Sequence, residues 1–135
     1  MPTITIDLTE DQRFNLLVSA MSGGIRYWAY FGDDLWKIVD EVQKPNKDIC
    51  LEDRVWAAIK AGKKLPIKDV EGYDPANDLE GEILGYISLE SIEEGEQIMA
   101  EKYRDHFFNI VDENNDAITA DIWFQLATLK DVVYG

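Results

Sequence analysis

The chain is short of the residues that usually announce a chemistry. It has one cysteine, Cys50, and one histidine, His106, in 135 residues. A lone thiol allows no disulfide within the chain and fits a reducing compartment. A lone histidine excludes two-histidine metal motifs. A serine–histidine or cysteine–histidine pair would have to use His106, and no nucleophile motif stands near it. Gly62-Lys63-Lys64 lacks the upstream glycine and the following Ser or Thr of a phosphate-cradling loop. No apolar run reaches the ~20 residues of a membrane helix. Met1-Pro2-Thr3-Ile4-Thr5 has neither the basic nor the apolar stretch of a signal peptide. The expectation is a cytoplasmic, non-enzymatic protein with no cofactor, no metal ion and no membrane contact.

Cations are scarce too, and in one place. Residues 1–70 hold 11 acidic and 10 basic side chains, whereas residues 71–135 hold 16 and 3. The second half therefore carries −13 of the formal −14. Such a surface repels a phosphate backbone, which argues against direct nucleic-acid binding. It suits the reverse, a polyanion mimic offered to a basic partner. The carboxylates for such a partner-binding face are Asp74, Asp78, Glu80 and Glu82, then Glu90, Glu93, Glu94, Glu96 and Glu101 on the next helix. The plainer reading of that helix is a solvated outer face.

What is present suits one core. Hydrophobic residues make up 46% of the chain, and residues 1–135 read as a single domain. Thr3 to Leu8 alternates as a strand does. Thr9, Glu10, Asp11 and Gln12 form a capping box ahead of a stripe at Phe14, Leu17, Val18 and Met21, which Gly23-Gly24 ends. Ile25 to Phe31 is β-branched and aromatic and predicts a strand. Helices follow at Leu35–Val42 and Leu51–Ile59, then extended chain to Val70 and a strand at Ile83–Ile87. Ser88 or Ser91 caps an acidic helix with its stripe at Ile92, Gly95, Met99 and Tyr103. Asp116 caps a last, long apolar helix running to about Val133. The pattern predicts an α+β fold, with a small antiparallel or mixed sheet of 3–4 strands packed with 4–5 helices.

Two further clusters could carry function. On the last helix Asp121, Gln125 and Thr128 fall on one line at spacings of four and three. That line is a partly exposed polar seam, a buried hydrogen-bonded network or a ligand site. If Asp121 is buried it must be paired. Near the other end, Gly23-Gly24 precede Arg26, Tyr27 and Trp28. On a strand Tyr27 and Trp28 would face opposite sides, one in the core and the other, with Arg26 and Tyr30, free to stack on a ring. Asp112-Glu113-Asn114-Asn115-Asp116 opens like a calcium loop. Ala117 then stands where glycine is needed and Trp123 where a bidentate glutamate is needed, so helix capping is the better reading.

Gly23-Gly24 with Tyr27-Trp28, Asp116-Ala117 with Ala120-Asp121 and Gln125, and the closing Val132-Val133-Tyr134-Gly135 resemble a group of small proteins encoded by phages, prophages and some bacteria. Ile87 to Gly95 fits the same group, and Lys44 to Lys64 stands apart from it. The resemblance implies no catalytic residue. It implies a context in which small accessory proteins bind host machinery. The leading expectation is a non-catalytic accessory protein that binds and inhibits a basic host protein, such as a defence or nucleic-acid-binding complex. The alternatives are a nucleotide-binding sponge built on Arg26, Tyr27, Trp28, Asp121 and Gln125, and a structural or assembly protein of the phage. The apolar last helix also makes a homodimer a candidate.

Overall fold

The computed structural model describes residues 8–114 and 116–135. The expected strand Thr3–Leu8 lies outside them except for Leu8, which is buried. Among the described residues the fold is α+β, with six α-helices and a three-stranded antiparallel sheet of order β1-β2-β3.

Helix α1 (Glu10–Ser19) begins at the expected capping box: Thr9 accepts from the Gln12 N–H while the Gln12 side chain returns to the Thr9 N–H. It runs into one wide turn, Ala20–Gly24, where Gly23 leaves helical dihedrals. Strand β1 is only Ala29–Tyr30. Helices α2 (Asp33–Val42) and α3 (Leu51–Lys60) precede β2 (Leu65–Asp69), and β3 (Ile83–Ile87) follows a turn-rich loop. β2 is the central strand, with Leu65 to Lys68 all buried. Pro66 sits opposite Tyr86 of β3 but outside the β1 ladder, which reaches only Lys68 and Asp69. A proline is tolerated there because no partner needs its missing N–H.

The acidic helix divides. α4 (Leu89–Lys102) is capped by Ser88, and α5 (Arg104–Val111) starts after Tyr103, whose φ of −128° and ψ of 51° break the helical path. This adds a helix to the four or five expected. α6 (Ala117–Leu129) is 13 residues long and stops short of Val133, because Lys130 turns into the left-handed region at φ 64°. It packs chiefly on α4, and also on α1 and β3. Gly95 makes that crossing close: a Cβ there would lie 2.6 Å from the Ala127 nitrogen. Ala120, Phe124 and Ala127 of α6 are buried within their own chain, while Ile118 in its first turn is 65% exposed. No helix among the described residues is long and apolar enough to cross a membrane.

Candidate functional site

The expected strand Ile25–Phe31 does not form as such. Gly24 lies against α6, where a Cβ would meet the Ala117 carbonyl at 3.1 Å, and the chain then curls, with the Ala29 N–H bonded to the Ile25 carbonyl. Tyr27 and Trp28 therefore lie on a turn and not on opposite faces of a strand. Both reach one carboxylate. The Tyr27 hydroxyl donates to Asp121 Oδ2 at 2.5 Å and Trp28 Nε1 donates to Asp121 Oδ1 at 2.8 Å. Gln125 Nε2 adds a third bond to Oδ1 at 3.1 Å.

Asp121, Gln125 and Thr128 are 8%, 0% and 8% exposed, so the polar line on α6 is a buried network and not a partly exposed seam. Burial is tolerable because every acceptor is met. Thr128 turns its hydroxyl back to the Phe124 carbonyl at 2.8 Å. Gln125 also grips the chain beyond α6. Its Oε1 accepts from the N–H groups of Val133 and Tyr134 at 2.8 and 2.9 Å, and its Nε2 donates to the Tyr134 carbonyl at 3.1 Å. The Tyr134 ring stacks on Trp28, centroids 5.0 Å apart and planes 11° from parallel. Burial, then the Asp121 carboxylate, push the Tyr27 hydroxyl up to about 12. Burial raises Tyr134 as well, with Asp69 and Glu71 adding to it.

Only part of the expected ligand seam survives. Trp28 is 1% exposed and has no free face for a ring, whereas Tyr27 is 52% exposed with its hydroxyl tied to Asp121. Arg26 instead borders an open groove of about 510 Å³ with Ile25, Tyr30, Phe31, Trp36 and Glu52. That groove offers aromatic walls with one cation and one anion at its rim, a surface for a flat, polar-edged molecule.

The carboxylates separate into four kinds. Glu96 does not belong to an acidic face: it is 7% exposed, bound at 2.6 Å by Arg13 and at 2.9 Å by Trp123 Nε1. Its place on the stripe of Ile92, Gly95 and Met99 turns it inward. Glu80 and Glu94 are exposed but paired, Glu80 to Lys68 and Glu94 to Lys130 at 3.2 Å. Asp74 is half-buried and takes a bond from Asn77 at 2.7 Å. Asp78, Glu82, Glu90, Glu93 and Glu101 are exposed, and among the described residues none of them forms a salt bridge.

Lys68, which with Arg26, Lys60, Lys63 and Lys64 could have gathered for an anionic ligand, is instead taken up by carboxylates. Buried in β2, it bridges Glu80 and Asp34, and these two carboxylates raise its basicity well above the usual lysine range. The same contact holds the Asp34 carboxyl below its usual value. A clue was the lone cation in a run of buried strand residues. Among the described residues no group of three or more His, Cys, Asp or Glu could hold a metal ion. Compared with known proteins, the chain matches no family model, no curated protein and no solved structure.

Proposed function

We propose that this chain is a non-catalytic binding protein that engages a basic host protein through the acidic surface around β3 and α4, as an accessory protein of a phage would. The observation that carries the reading is the outer face of α4. Ile92, Gly95, Glu96 and Met99 turn inward, and Glu90, Glu93, Glu94 and Glu101 stand on the exposed side. At 1.5 Å per residue these glutamates span roughly 16 Å of helix. Duplex DNA places one charge per ~1.7 Å. The row is sparser than that, so it supports a match to spaced lysines and arginines better than a copy of a duplex.

In sequence β3 joins Glu82 to this helix, and its five residues span roughly 17 Å. Ile83 and Tyr86 of β3 are 46% and 49% exposed. Apolar side chains with charged neighbours are the usual make-up of an interface core and rim.

The test is association with basic host proteins of the defence and nucleic-acid-binding classes, measured against salt. The on-rate should fall steeply between low and physiological ionic strength. The variant with Glu90, Glu93, Glu94 and Glu101 all changed to Gln should lose most of that dependence while staying folded. Binding that ignores both salt and these four substitutions would sink the proposal.

A further inference from the structure

Residues 131–135 have no secondary structure of their own, yet they are seated in a shaped slot. Val133 and Tyr134 give both their N–H groups to Gln125, and Tyr134 takes the Gln125 N–H in return. A side-chain amide here does what a neighbouring strand would do: it pairs with backbone, not with side chains. The Tyr134 ring then lies flat on Trp28. Among the described residues, every hydrogen bond joining 131–135 to the rest of the fold runs through Gln125. The segment starts at Lys130, a non-glycine residue in the left-handed region. Besides these bonds and the ring stack, Val132 and Tyr134 pack at the edge of the core; a short piece held at so few points opens at lower cost than the whole fold.

The slot has a charge of its own. Asp121 lies beneath it, bonded to Trp28 and Gln125. Asp69 and Glu71 are close enough to act on the Tyr134 hydroxyl. The occupant has no cation between Asp131 and Gly135 to answer these carboxylates. Backbone pairing, a ring platform and an acidic surround would suit another segment better.

We propose that this slot is a docking site for an extended segment of a partner protein, bearing an aromatic residue beside basic ones, and that residues 131–135 fill it as a built-in competitor. The sign of the partner's charge rests on the function proposed above; the slot itself does not. Opening would expose the Gln125 amide and the Trp28 face. A foreign segment would replace the two N–H donors and the ring, and add a cation near Asp69 and Glu71.

The probes are labelled peptides, Asp-Val-Val-Tyr-Gly and Lys-Val-Val-Tyr-Arg, titrated against the full chain. The Tyr134→Ala variant should bind both at least about tenfold more tightly than the wild type, because its own segment competes less. The basic peptide should bind more tightly than the acidic one. N-methylation of the two amides that Gln125 would accept should weaken the basic peptide about tenfold, the loss expected for two hydrogen bonds. That control changes the peptide alone, so it holds even if Gln125→Leu fails to fold. No binding, equal binding to wild type and variant, or indifference to N-methylation would each overturn the slot. Dimerisation of the wild type that Tyr134→Ala abolishes would also overturn it, by assigning the slot to a second copy. Basic host proteins that bind the α4 face whether or not Tyr134 is present would remove the slot and leave the proposed function standing.

Discussion

Asp121 shows how a carboxylate can sit inside this protein. Three donors converge on it, from Tyr27, Trp28 and Gln125, and an unpaired charge in that position would be far too costly to keep. Tyr27 supplies the shortest of the three bonds, and its alkaline behaviour gives a direct check. Its hydroxyl is pushed up to about 12 when folded, against 10.0 when free. Between those values the unfolded chain sheds the phenol proton and the folded chain keeps it, so rising pH favours unfolding. The contribution is complete below pH 10 and is lost as pH approaches 12. Tyr27→Phe should destabilise the fold by about 1 kcal/mol at pH 8. Its deficit against the wild type should shrink by pH 11 in urea unfolding. A deficit that does not change with pH would show that the hydroxyl contributes nothing through ionisation.

Among the elements, the α4–α6 crossing sets the geometry of the acidic row. Gly95 admits α6 so closely that any side chain must displace backbone at 2.6 Å. Gly95→Val should destabilise by about 1–3 kcal/mol through overpacking. Gln97→Val, exposed on the same helix, should stay within about 0.5 kcal/mol in thermal unfolding. Equal effects at the two positions would contradict the close crossing. Most elements were legible in the sequence because their signals are local. Thr9 and Asp116 cap helices where their spacing predicted, and Ser88 is the one of the two candidate serines that caps α4. The failures came from tertiary contacts. Ile25–Phe31 has strand composition, but Gly24 against α6 and a two-residue ladder on β2 leave most of it as a turn. α5 was hidden because Tyr103 continues the stripe of α4 while its backbone leaves the helix.

For the molecule as a whole, charge matters more than any one pair. Arg54 and Lys68 are buried against carboxylates, and Arg13 is mostly covered beside Glu96. These pairs turn cations inward, and the exterior keeps an anionic excess. Self-repulsion should therefore dominate at low salt. The screening length falls from ~30 Å at 0.01 M to ~8 Å at 0.15 M. The thermal midpoint should rise by a few degrees over that range; a fall would mean that surface ion pairs outweigh repulsion. Of the site, the Asp121–Gln125 line and the Tyr27-Trp28 pair were each visible in the sequence. Their meeting was not, because ~93 residues separate them and no local rule spans that distance. Glu96 was legible and misread, since its spacing from Ile92 and Met99 already put it on the inward stripe.

Gln125 reads residues 133 and 134 through their peptide groups and not their side chains. Its carboxamide gives from one atom and accepts at another, and asparagine, the one other side chain with that group, is one methylene too short. Position 125 therefore has little freedom to change while this hold lasts. Position 133, whose side chain is 63% exposed, can drift to almost any residue except proline without loosening the hold.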